Sequence, residues 1–280
     1  MTLKRALITG SNAGIGKATA EALAAKGWEV ILAGRNTAQL QSTAAGINET
    51  VKQACASFIT LDLSDMQSIR QAAADFGNRY DGLGALINNA GVYTSAFQFT
   101  TDGYEMQFGV NHLGHFLLST LLLPQLQQAF GSRLINVASR AHLYGQLDFE
   151  TLRGGDPDYS GLRAYARSKL ANVIFTAEWA HRYPEVAAYS LHPGGVATDI
   201  ATKSSIWYID WGWKLVTPFL RSPARGAATS VYLATVPEVP APSGAYFNQF
   251  QKPGVTSGAV KDPELAKKLW VYSEEATGES

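Results

Sequence analysis

The chain has 280 residues, 46% hydrophobic and 16% charged, enough apolar material for a sizeable core in one large domain or two small ones. Lysine plus arginine and aspartate plus glutamate each total 23 and no basic run occurs, which argues against a nucleic-acid binder working through bulk charge. The single cysteine, Cys55, excludes an intrachain disulfide. The first apolar run starts at Leu3 and none approaches membrane-spanning length, so a soluble cytoplasmic protein without signal peptide or transmembrane segment is expected.

Ala6-Leu7-Ile8-Thr9 predicts a short buried strand. The turn Gly10-Ser11-Asn12-Ala13-Gly14-Ile15-Gly16 follows at once, then an alanine-rich helix over 17–26 that Gly27 ends. Strand, glycine-rich turn and helix open a nucleotide-binding βαβ unit, because the glycines let backbone approach a pyrophosphate at the helix N-terminus. The spacing is G-x-x-x-G-x-G rather than the commoner G-x-G-x-x-G. A second strand over 29–33 ends in Gly34-Arg35-Asn36. An acid is expected there to hold a free ribose 2′-hydroxyl, but Arg35 is present instead. Its guanidinium suits a 2′-phosphate, so the expected cofactor is NADP(H) rather than NAD(H).

A helix from 37 to about 52 leads to a strand over 57–61 ending in Asp62-Leu63. Ser64 is the expected cap of a helix over 65–79, and a strand over 84–88 precedes Asn89-Ala90-Gly91. This alternation predicts an α/β chain: a single-domain Rossmann fold, its doubly wound parallel sheet carrying helices on both faces. No linker or repeat divides the chain. A long apolar helix carries Asn111, and a fifth strand over 133–138 places Ser139 at its C-terminal end, where open α/β sheets keep their sites.

Tyr165 and Lys169 fall four residues apart in a segment, 162–181, that reads as helix, so they share one face. A lysine beside a phenol favours the phenolate and should lower the tyrosine pKa, as acid–base chemistry near neutral pH requires. Read alone, the pair also fits an ordinary surface helix. His112 and His115 suggest a metal pair only weakly. No third ligand is evident, and both are expected to be packing or partly exposed histidines, with His192 structural and no metal bound.

Seven blocks in order make the chain resemble the short-chain dehydrogenase/reductase family over nearly its whole length. They are Thr9-Gly10-x-x-x-Gly14-x-Gly16, Asp62-Leu63, Asn88-Asn89-Ala90-Gly91, Asn111 in Val110-Asn111-His112, Ser139, Tyr165-x-x-x-Lys169, and Pro193-Gly194-x-Val196-x-Thr198. The resemblance implies a catalytic set of Asn111, Ser139, Tyr165 and Lys169. In it Tyr165 is the acid and base, Ser139 bonds the substrate carbonyl, and Lys169 also binds the nicotinamide ribose. Asn111 holds a water that resupplies protons. It further implies cofactor contacts from Gly10, Ser11, Asn12, Gly14, Ile15, Gly16, Arg35, Asn36, Asp62 (at the adenine), Leu63, Asn89, Ala90, Gly91, Pro193, Gly194, Val196 (backbone at the carboxamide) and Thr198. An inserted loop over 142–162 contains Asp148-Phe149 and Gly154-Gly155-Asp156-Pro157. With Leu170-Ala171-Asn172, Ser222-Pro223, Gly226-Ala227 and Tyr246-Phe247, it resembles the branch of retinol dehydrogenases, lipophilic carbonyl reductases and protochlorophyllide reductases. The N-terminal anchor of many animal retinol dehydrogenases has no counterpart in this reading.

Residues 205–216 hold three of the chain's six tryptophans, Trp207, Trp211 and Trp213. A lid over about 200–222, closing on a bulky apolar substrate, is expected; a subunit contact or a membrane-surface helix is the alternative, with Lys203, Lys214 and Arg221 flanking. Tyr93 and His142 are candidate pocket residues. The expected activity is NADP(H)-dependent interconversion of a small lipophilic carbonyl and its alcohol, by a monomer or homodimer. The alternatives are C=C reduction of a conjugated ring and NADPH sensing without turnover.

Overall fold

The computed structural model describes residues 3–153, 158–194 and 222–279. Seven parallel strands form one sheet in the order β3-β2-β1-β4-β5-β6-β7. In the chain they are β1 Arg5–Thr9, β2 Glu29–Gly34, β3 Ala56–Thr60, β4 Ala85–Asn88, β5 Arg133–Val137, β6 Ala187–Leu191 and β7 Tyr246–Phe247. Successive strand side chains point to opposite faces, and both faces here are apolar. Leu7, Ile31, Leu86, Leu134 and Ala188 enter one core; Ala6, Ile8, Val30, Leu32, Ile87, Ile135 and Tyr189 enter the other.

Helices cover each face through their own apolar stripes. The first core is closed by α3 Met66–Arg79 (Ile69, Ala72, Phe76), α5 Gly114–Leu121 (Phe116, Leu117, Leu118), α7 Gly161–Arg182 (Phe175, Trp179) and Trp270 of α9 Pro263–Thr277. The second is closed by α1 Gly14–Ala24, α2 Thr37–Val51 and α8 Pro223–Thr235 through Leu23, Leu40, Ile47 and Val231. Among the described residues, two short helices, α4 Met106–Phe108 and α6 Leu123–Gln128, complete the α-helical set. A π-helical segment, Gly109–Leu113, joins α4 to α5.

The expected strands and helices through β5 are present, with shifted ends. Helix α1 begins at Gly14 rather than 17, so part of the glycine turn is already helical. Asp65, not Ser64, caps α3, because its carboxylate accepts from Gln67 N (2.9 Å) and Ser68 N (3.3 Å). Ser64 instead bonds Asp62. Strands β6 and β7 and helix α9 were not expected. Asp262 at the cap, Pro263 inside the start and Gly278 just past the end were the available signal for α9. Among the described residues no helix is long and apolar enough to cross a membrane.

Candidate active site

The strand order reverses between β1 and β4, the crevice at which such sheets bind ligands. Their adjacency brings the turns 10–16 and 89–91 together. Thr9 Oγ1 accepts from Asn89 N (3.0 Å) and Ala90 N (2.9 Å), and Asn89 Nδ2 donates to Thr9 O (2.8 Å). Gly16 packs so tightly that a β-carbon would sit 2.6 Å from Asn89 Nδ2, while Gly10 holds φ +64°, where a side chain is strained. Helix α1 has no side-chain cap and no acid in its first turn. Its unpaired N–H groups and positive dipole end are therefore open to an anion, and the crevice fits a dinucleotide phosphate.

The remaining cofactor candidates divide by what already holds them. Ser11 is turned inward: its hydroxyl donates to Ile8 O (2.8 Å) and accepts from Ala33 N (3.0 Å), locking the turn onto β2. Asn12 reaches across to Gln39 Oε1 (2.9 Å) beside the end of β2, where Arg35 stands exposed. Asn36 caps α2 through Gln39 N (3.0 Å). Asp62 accepts from Ser64 N (2.9 Å) and Ser64 Oγ (2.7 Å), and Leu63 packs where Gly114 has no side chain. Gly91 faces Asn111 Oδ1 and Lys169 Nζ, each 3.4 Å from where its β-carbon would be. Pro193 and Gly194 (φ +83°) follow β6. Gly154–Pro157, Val196, Thr198 and the tryptophan-rich stretch with its flanking Lys203, Lys214 and Arg221 lie outside the described residues.

Ser139 leaves β5 as expected, and α7 brings Tyr165 close enough for the Ser139 hydroxyl to act on the phenol. Lys169 is buried one turn on, donating from Nζ to Val137 O at 2.9 Å. Burial lowers its pKa to about 8. The electrostatics of Tyr165 differ from expectation. Burial raises the phenol pKa, and the neighbouring Ser139 hydroxyl only opposes that rise. Lys169 Nζ lies 5.7 Å from the phenol ring centre, is aimed at Val137 O and is itself desolvated, so it does not pull the phenol down.

Asn111 sits in the π-helical segment, a distortion frequent at functional sites. Its amide spends both N–H groups, on Val92 O and Ser168 Oγ (both 3.0 Å), and its Oδ1 accepts from Val92 N (2.7 Å). Tyr93 meets Tyr165 edge-on with ring centres 6.1 Å apart. His142 is buried against Tyr246, its Nδ1 against Ser139 O at 2.7 Å.

A buried ionic network next to this site was not visible in the sequence. Glu105 is fully buried and accepts from Gln107 N (2.9 Å), Phe108 N (2.8 Å) and the Tyr159 hydroxyl (2.9 Å). Arg167 of α7 completes it at 3.7 Å and also donates to Thr151 Oγ1 (2.6 Å). The inserted loop, the start of the Asn111 helix and the helix of Tyr165 are thus pinned to one carboxylate. Lone charges on helices usually read as solvated faces, which hid both residues.

His112 and His115 are both completely buried, not partly exposed. Among the described residues no group of three potential metal ligands converges. Burial lowers the pKa of His112 to about 3 and of His115 to about 4. Both folded values lie below the unfolded one, so the unfolded chain binds these protons first. Their stabilising contribution is complete above the ordinary histidine range and is lost as pH falls below it. Urea unfolding at about pH 5 should therefore take up about two protons from these side chains, a slope of roughly 2.7 kcal/mol per pH unit. A flat stability profile across that window would contradict the assignment.

The family model for short chain dehydrogenases matches residues 4–208. Mouse retinol dehydrogenase 12 is 41% identical over 277 residues, covering 98% of this chain and 86% of its own. Human retinol dehydrogenase 11 is 40% identical over 272 residues, covering 96% and 84%. A crystal structure of an uncharacterized protein from Mycobacterium paratuberculosis superposes with TM-score 0.78 at 33% identity, covering 99% of this chain and 94% of that one. The chain belongs to the short-chain dehydrogenase family, oxidoreductases that act on CH–OH and C=O groups with a nicotinamide cofactor.

Proposed function

We propose that the protein is an NADP(H)-dependent reductase or dehydrogenase, acting as one catalytic domain, that interconverts a lipophilic aldehyde or ketone and its alcohol. The observation that carries the reading is Ser139 at the end of β5, with Tyr165 and the buried Lys169 amine one turn apart on α7 and Nζ 5.7 Å from the phenol ring centre. A nicotinamide dinucleotide bound in the crevice supplies hydride chemistry at its ring C4. Ser139 and Tyr165 hold the carbonyl oxygen, stabilise the charge that builds on it and, through Tyr165, deliver its proton. The raised phenol pKa suits reduction, since Tyr165 keeps that proton at neutral pH.

Lys169 spends one N–H on Val137 O and keeps two for ribose hydroxyls, while its pKa of about 8 lets it pass protons onward. The Asn111 amide braces the Val92 loop against Ser168, and the second lone pair of its Oδ1, which faces Gly91 together with Lys169 Nζ, is left for the relay water. The relatives' name, retinol dehydrogenase, and the three tryptophans of 205–216 favour a bulky apolar substrate. The lone cysteine, Cys55, buried and unpaired, fits a cytosolic setting.

Arg35 is assigned the 2′-phosphate. Arg35 is exposed just past the end of β2, and Asn12 of the glycine turn reaches Gln39 of α2, the helix that follows Arg35. Arg35→Ala should weaken NADPH by about 10–100-fold, the loss of one charge-assisted contact, and leave NADH within about threefold. Titration of both cofactors checks this, and equal weakening would remove Arg35 from that role.

A further inference from the structure

His115 of α5 takes no part in the chemistry above, yet both of its ring nitrogens are committed. Nε2 lies 2.9 Å from Thr9 Oγ1, and Nδ1 lies 3.0 Å from Asn111 O. Counting protons places the hydrogens. A hydroxyl has one proton and two lone pairs. Thr9 Oγ1 already accepts the Ala90 N–H (2.9 Å) and shares the Asn89 N–H (3.0 Å) with Ile87 O (2.9 Å), so its proton is left for His115 Nε2. A carbonyl oxygen only accepts, so Nδ1 must carry the hydrogen that meets Asn111 O. Two independent demands give one species, the neutral imidazole protonated on Nδ1. Complete burial keeps that species neutral, with a pKa near 4.

We propose that His115, held in this tautomer, is a positioning residue for the cofactor seat, tying the end of β1 to the π-helical segment that carries Asn111. The proposal rests on the functional reading above. The bare Nε2 fixes the Thr9 hydroxyl so that both lone pairs face the 89–91 turn. Without that acceptor the hydroxyl proton has no buried partner. The hydroxyl must then rotate and give up one N–H, loosening the turn in which Gly91 faces Lys169 and Asn111.

The test uses the full chain with 15N-labelled histidine, the His115→Gln spectrum identifying the His115 signals. The expected state at neutral pH is protonated Nδ1 and bare Nε2. NADPH affinity is then read by fluorescence titration. His115→Gln offers an amide oxygen near the Nε2 position and should bind NADPH within about threefold of the parent, whereas His115→Phe offers no acceptor and should bind about tenfold more weakly. Turnover at saturating NADPH should fall much less than affinity in the Phe variant. A merely structural histidine would lower thermal stability in both variants without separating their affinities. An Nε2–H tautomer, an imidazolium, or equal affinity in all three proteins overturns the inference while leaving the functional reading intact. Failure of the parent to bind NADPH would overturn both.

Discussion

Tyr165→Phe should lower turnover by about 10²–10⁴-fold while NADPH still binds, because the variant loses only the group that gives and takes the proton. The ring keeps its volume and its edge-on contact with Tyr93, so the fold is expected to survive. The pH profile adds a second check. In the parent, burial raises the phenol pKa, so the reductive rate should hold through neutral pH and fall only on the alkaline side. Lys169, with a pKa of about 8, adds its own decline there as it loses its proton. Near-normal turnover in Tyr165→Phe would remove Tyr165 from the mechanism.

Glu105→Ala should be the most destabilising of the single changes considered, by about 3–5 kcal/mol, because it leaves a buried guanidinium without its counter-charge. Arg167 has only 8% of its side chain exposed, and the same change strips partners from Tyr159, Gln107 N and Phe108 N. Glu105→Gln keeps most of the acceptor geometry and should cost less. Urea unfolding of both variants, with Arg167→Gln completing a double-mutant cycle, separates the pair from its neighbours. A loss below about 1 kcal/mol in Glu105→Ala would place this ion pair with the weak surface ones.

The sequence was most legible where one residue type answers one geometric need. The glycines of 10–16 could be read because only a missing side chain lets that turn meet Asn89. The buried strands β1 to β5 announced themselves as short apolar runs between turn signals. Ser139 could be placed at a strand end and Tyr165 with Lys169 on one helical face because both features are predictable, while their joining into one site was implied by the family resemblance. The sign of the Tyr165 shift could not, since it depends on how deeply the phenol and amine are buried and where Nζ points. The resemblance implies Ser11 as a cofactor contact, and the sequence carries no sign that its hydroxyl turns inward to Ile8 and Ala33, which leaves its backbone for that role. The π-helical segment shares the composition of the apolar helix around it, so no periodicity marks it. Glu105 and Arg167, like Thr9 and His115, meet only through the tertiary fold.

The measurement that bears most directly on the proposed activity is NADPH consumption against aldehydes and ketones running from short aliphatic to retinal-sized, with Tyr165→Phe as the control. Turnover should rise with apolar bulk and collapse in the variant. If every carbonyl is inert while NADPH binds tightly, carbonyl reduction is contradicted, and reduction of a conjugated ring or cofactor sensing takes its place.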